Sequence, residues 1–184
     1  GMTGSGRTTT QAALAISGTQ VHDITGGRTL ATAGTTTWTN LVADGGRIRT
    51  GPNVTLDNTG TWLDQNAFNT RITPDFGGPA TFANRGTYTK SGGALTDIGI
   101  NFDNTRSGAG TGVVNVDAGT LRLSGGGNSN GSFGGAGTLD FGGGTHALVA
   151  GSSILLPTVF FSGGTTNVAA GGTGHQLGAG QRGR

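Results

Sequence analysis

One phrase recurs along this chain and constrains its fold more than any other feature. Val54-Thr55-Leu56-Asp57-Asn58-Thr59-Gly60-Thr61-Trp62 and Ala80-Thr81-Phe82-Ala83-Asn84-Arg85-Gly86-Thr87-Tyr88 share one grammar: apolar, Thr, apolar, small or acidic, Asn, any residue, Gly, Thr, aromatic. A third copy opens at Ile100-Asn101-Phe102-Asp103-Asn104-Thr105 and is interrupted by a Gly-rich stretch before Gly112-Val113-Val114-Asn115-Val116. Gly119-Thr120-Leu121-Arg122-Leu123 and Gly137-Thr138-Leu139-Asp140-Phe141 repeat the Gly-Thr-apolar-polar-apolar half. Gly34, Gly60, Gly86, Gly112, Gly137 and Gly164 mark the repeat at intervals of about 26 residues, a period that calls for a solenoid.

Within each copy the side chains alternate, and in a strand alternate side chains share a face. Val54, Leu56 and Asn58 therefore point one way, and Thr55 and Asp57 the other. Stacking the copies places Leu56, Phe82 and Phe102 in one interior column and Val54, Ala80 and Ile100 in a second. Each such side chain contributes roughly 1.5–3 kcal/mol when fully buried. A single coil buries little, so the stack must be cooperative between neighbours. Asn58, Asn84 and Asn104 fall at the inward end of the strand, where a structural asparagine ladder, each amide bonding to the coils above and below, is favoured over a ligand column. The expected fold is all-β: a right-handed parallel β-helix of about six or seven coils, with a repeat region on the order of 30 Å long.

Composition agrees with strands and turns. There are 40 glycines without a Gly-X-Y period, so a collagen-like triple helix is excluded. All nine acidic residues are Asp, Lys90 is the only lysine, and Thr, Val, Ile and Phe supply strand-compatible segments. Disorder is the competing reading for so Gly-rich a chain, but the formal net charge is only +2 and the apolar residues cluster in alternating runs. The absence of cysteine removes disulfides, zinc–thiolate sites and thiol nucleophiles. Arginines are dispersed without a basic stripe or stacking aromatics, which speaks against nucleic acid. No apolar run approaches the ~20 residues of a membrane span.

Residues 1–17 read as a start segment, with Gly1-Met2 resembling the scar of a removed tag and Gln11–Ile16 forming a short helix or a first, capping strand. Residues 18–170 are assigned to the solenoid, and 171–184 to a Gly-rich tail or linker of a longer protein. Ser124–Gly137 is expected to be a long surface turn or a weak outer coil.

A search for chemistry yields little, and no catalytic, metal or cofactor-binding residue is assigned. Asp57, Asp64, Asp75, Asp97, Asp103, Asp117 and Asp140 are the aspartates that could sit on an outward face, as in β-helix enzymes that cut acidic polysaccharides. Asp57 and Asp103 share an outward repeat position, with Ala83 between them. Solvated aspartates flanking Asn at a turn are the plainer reading. His22, His146 and His175 are far apart and lack metal-ligand spacing, and no calcium-binding nonapeptide array is present. Thr-x-Thr at Thr37-Trp38-Thr39 and Thr87-Tyr88-Thr89 suggests an ice-binding face, but the pattern is lost at Thr61-Trp62-Leu63.

Phe82-Ala83-Asn84-Arg85-Gly86-Thr87-Tyr88-Thr89-Lys90-Ser91-Gly92-Gly93 and Val114-Asn115-Val116-Asp117-Ala118-Gly119-Thr120-Leu121-Arg122-Leu123-Ser124-Gly125-Gly126 resemble the degenerate repeats of large secreted bacterial β-helix proteins. These include autotransporter passengers, haemagglutinin-like adhesins and giant repetitive surface proteins. The resemblance covers roughly residues 50 to 145 and is one of repeat grammar. It implies an extracellular or cell-surface, structural or adhesive segment of a larger protein, without cofactor or enzymatic activity. The implied partners are copies of itself end to end, or a surface or matrix polysaccharide or protein. A polysaccharide lyase or hydrolase, and a self-assembling fibre or phage-type spike, are the alternatives on the same scaffold.

Overall fold

The computed structural model describes residues 1–106, 108 and 110–169. Twenty strands, all paired in parallel, wind into a solenoid of seven coils with three faces, and no helix occurs among the described residues. Face one is built by β1 (Gly6–Thr10), β4 (Arg28–Thr32), β7 (Thr55–Asn58), β10 (Thr81–Asn84), β13 (Asn101–Asn104) and β16 (Gly127–Ser129). Face two stacks β2 (Leu14–Ile16), β5 (Thr35–Trp38), β8 (Thr61–Asp64), β11 (Thr87–Lys90), β14 (Val113–Val116), β17 (Ser132–Gly134) and β19 (Ser153–Leu155). Face three comprises β3 (His22–Ile24), β6 (Ile48–Thr50), β9 (Thr70–Thr73), β12 (Leu95–Ile98) and β15 (Thr120–Leu123). The long strands β18 (Thr138–Leu148) and β20 (Thr158–Val168) turn a corner. The first half of β18 pairs with β15 on face three and its last residues pair with β16 on face one.

Register shows why the repeat phrase produces a core. Leu30, Leu56, Phe82 and Phe102 are direct cross-strand partners in successive coils. Val54, Leu56, Ala80, Phe82, Ile100 and Phe102 are all buried, none more than 4% exposed. Face two adds a second column, Thr36, Trp62, Tyr88, Val114, Phe133 and Ile154. Face three adds Ile48, Ile72, Ile98, Leu123 and Phe141. The aromatic rings meet in the middle: Trp62 lies edge-on to Phe82 at 4.9 Å between centroids, and Phe82 stacks on Phe102 at 5.2 Å. Such pairs add about 0.5–1.5 kcal/mol each beyond area burial.

Coil length is less regular than the sequence suggests. Thr29 to Thr55 and Thr55 to Thr81 each span 26 residues, but Thr81 to Asn101 spans 20 and Gly127 to His146 spans 19. The strands keep their register while the corners absorb the difference. Two stretches that the sequence leaves open are resolved by the strands. Of the two readings of Gln11–Ile16, the first strand is found: β2 ends face two and, with β1, belongs to a first coil, so the solenoid begins inside residues 1–17. Ser124–Gly137 contains β16 and β17, so of its two readings the coil is found and the long turn is not, because Gly126 and Gly127 take positive φ angles that let the chain turn without a loop. The tail assigned to 171–184 lies outside the described residues.

The glycine series also divides. At the corner from face one to face two, Thr61 N donates to Gly34 O, Thr87 N to Gly60 O, Val113 N to Gly86 O and Ser132 N to Gly112 O. Ser153 N continues the column to Gly131 O, so Gly131 occupies the place expected of Gly137. Gly137 lies at the corner into face three, where Thr138 N bonds Gly119 O, and Gly164 sits over Gly144 at a third corner. Adjacent coils approach so closely here that a Cβ on Gly86 would stand 2.0 Å from Gly60 O. Gly93 meets nothing within 4 Å and has no positive φ. Gly86→Ala should therefore lose about 1–3 kcal/mol in urea unfolding through overpacking, while Gly93→Ala should stay within roughly 0.5 kcal/mol of the parent. Equal midpoints for the two variants would contradict this stacking.

Candidate functional site

Two sets of polar groups could carry function: those facing outward on the strands and those shut inside the coil. Outward positions follow the same register as the core. Asp57 and Asp103 occupy one column on face one, with Ala83 between them. Asp57 is not the solvated carboxylate expected from sequence, whereas Asp103 keeps part of its surface in water. Asp57 is only 2% exposed, because Arg7 bonds its Oδ2 at 3.0 Å and Arg85, from the next corner, closes over Oδ1. Two arginines cover a group that strand alternation alone would leave in water. Asp103 accepts from the backbone N–H of Asn128 at 2.8 Å.

Face three repeats this economy. Asp23 is bidentate with Arg49, at 2.6 and 2.8 Å, and this pairing holds its carboxyl below the usual range. Arg71, Asp97, Arg122 and Asp140 follow one another as cross-strand partners, an alternating column of charge. Arg71 reaches Asp44, Ser124 Oγ donates to Asp97, and Arg122 pairs with Asp140 at 3.3 Å. Asp75 pairs with Arg47 at 3.6 Å. Like charges directly opposite would repel, whereas this order makes each pair attractive.

The asparagines at the end of face one form a continuous chain of bonds. Thr32 Oγ1 donates to Asn58 Oδ1, Asn58 Nδ2 to Asn84 Oδ1 at 2.8 Å, and Asn84 Nδ2 to Asn104 Oδ1 at 2.9 Å. Asn58 and Asn84 also donate to carbonyls on face two, Thr87 O and Val113 O, and Asn104 Nδ2 donates to Ser132 O. All three side chains are fully buried. Their bonding capacity is thus used within the stack.

The inside holds a cluster that the sequence reading did not assign. Asp64 was grouped with the outward aspartates, yet its side chain is 0% exposed and so is that of Lys90. They are direct cross-strand partners on face two, two residues beyond the inward Trp62 and Tyr88. Lys90 Nζ stands 3.7 Å from Asp64 Oδ2 and donates to Gly92 O at 3.0 Å and Thr96 Oγ1 at 3.1 Å. Tyr88 Oη donates to Asp64 Oδ2 at 2.9 Å, and Asn66 Nδ2 donates to Asp64 Oδ1 at 2.7 Å. Asn66 Oδ1 is buried without a partner. Burial lowers the Lys90 ammonium below its ordinary value and, with Asp64 alongside, pushes the Tyr88 hydroxyl well up.

The histidines do not converge. His146 is buried against Phe141, with Nε2 near the carbonyls of Leu123 and Gly143, and burial lowers its pKa. His22 lies in the first coil, and His175 is outside the described residues. Among the described residues no group of His, Cys, Asp and Glu could hold a metal ion, and no helix is long and apolar enough to cross a membrane. Comparison with protein-family models, with curated proteins and with solved structures finds no match.

Proposed function

We propose that this chain is a structural or adhesive β-solenoid segment of a larger bacterial surface or secreted protein, acting as a rigid spacer that presents its outer faces and corners. One observation carries the reading. Apart from Asp117, every aspartate pairs with a protein cation or hydrogen-bond donor, most of them across coils. Acidic groups spent on holding coils together suit a scaffold better than a hydrolytic site, which needs a carboxylate poised toward a substrate. The corners, by contrast, carry free apolar side chains: Leu41, Val42 and Phe68 are exposed on the two loops between faces two and three, tied together by Asn40. Corner loops can vary without disturbing strand register, so they are where a solenoid of this kind gains its contacts.

Antibody raised against the folded chain tests the reading. It should label intact source cells without permeabilisation, and labelling only after permeabilisation would overturn the surface assignment. Cleavage of an acidic polysaccharide that is lost in Asp57→Asn or Asp103→Asn would overturn the scaffold assignment in favour of an enzyme.

A further inference from the structure

We propose that Lys90 and Asn66 become joined by an isopeptide bond inside the folded coil, with Asp64 as the proton-transferring group. This goes beyond the scaffold reading and does not depend on it.

Three observations bring the chemistry together. The amine and the carboxamide sit on the two oxygens of one carboxylate: Lys90 Nζ at 3.7 Å from Oδ2 and Asn66 Nδ2 at 2.7 Å from Oδ1. The two segments are stacked directly, since Gly92 N donates to Asp64 O and a Cβ on Gly92 would stand 2.1 Å from Asn66 O. All of the groups are enclosed: Asp64, Asn66, Tyr88 and Lys90 are each 0% exposed, with Trp62 at 1% beside them. A lysine without water around it favours the free amine, which is the nucleophilic form. Held beside an amide in a dry site, that amine reacts with the advantage of an intramolecular group. Nothing holds the carboxamide oxygen, as Asn66 Oδ1 has no partner, and the reaction requires the carboxamide to turn until Nζ meets Cγ.

The step balances without an outside reagent. Lys90 passes a proton to Asp64, leaving a neutral amine and a neutral acid. The Nζ lone pair attacks Asn66 Cγ, forming the new C–N bond. Asp64 then protonates Nδ2, the old C–N bond breaks, and ammonia leaves. The proton released from Nζ returns to Asp64, which stays protonated, and ammonia departs as the neutral molecule. Nothing is oxidised or reduced. The product replaces a buried ammonium and carboxylate with a neutral amide and a neutral acid, which removes the cost of keeping an ion pair out of water. Tyr88, through its hydroxyl on Asp64 Oδ2, is a positioning residue for the carboxylate.

Intact-mass spectrometry of the purified, folded and then denatured wild-type chain reads the outcome. The expected mass is lower than that of the sequence by one ammonia. Trypsin should fail to cut after Lys90, leaving the peptide Thr50–Arg71 joined to Gly86–Arg106. Asn66→Ala, Lys90→Arg and Asp64→Asn should each show the full mass. A wild-type chain of full mass that trypsin cuts after Lys90 would overturn the proposal. Loss of one water instead of ammonia would overturn it too, by assigning the bond to Asp64 itself.

Discussion

A chain carrying Leu56→Asp should fail to reach the cooperative fold, with a loss on the order of 5 kcal/mol or more, comparable to the whole stability of a domain this size. Leu56 is 0% exposed between Leu30 and Phe82, so the new carboxylate would have apolar neighbours on both adjacent coils and no cation within the column. Burying a charge without a partner is the costliest single change a core can suffer. The effect should spread, because each coil is stabilised through the one above and below it. The adjacent substitution is the control. Asp57→Ala removes a carboxylate that is itself buried, but its partners Arg7 and Arg85 are 56% and 42% exposed and can return to water. It should cost only about 1 kcal/mol, the upper end of what surface pairs contribute. Circular dichroism with urea titration distinguishes the two, and equal losses would mean that the strand is shifted by one residue.

Asp64→Ala should be nearly as damaging, at about 3–5 kcal/mol, for a different reason. The core would keep the Lys90 ammonium with no counter-charge, held only by Gly92 O and Thr96 Oγ1. Adding Lys90→Met to Asp64→Ala should then recover much of the loss, since a flexible thioether fills the space without charge. Both variants lack the Asp64 carboxylate, so the comparison is independent of any Lys90–Asn66 bond. A double variant less stable than Asp64→Ala alone would show that the ammonium stabilises the core by itself.

The repeat phrase made the stack legible because identical grammar at a fixed spacing forces identical faces to align. Val54, Leu56, Asn58 and their counterparts needed only the two-residue alternation of a strand to be placed inside. The tight coil of β16 and β17 was legible only as one of two readings, since Gly-Gly-Gly-Asn-Ser-Asn carries a turn composition and its strands are held by neighbours rather than by propensity. Asp57 was placed on the correct side of its strand. What hides it is an arginine 28 residues later and another 50 residues earlier, a distance no local pattern reveals. Asp64 and Lys90 are the instructive miss. The aromatics Trp62 and Tyr88 face inward, so alternation already requires the residue two places on to face inward with them. Opposite charges at that shared position were the signal, and it lay in the sequence.

The strands of all three faces lie across the axis of the stack, with each hydrogen-bonded ladder running along it. A force applied to the two ends along that axis therefore loads the bonds of one coil at a time, by peeling, while the same force along a strand would load them together in shear. Under axial tension the molecule should lengthen in discrete steps. Freeing the coil between Thr29 and Thr55 releases 26 residues and adds on the order of 90 Å of extended chain, and the shorter coils add less.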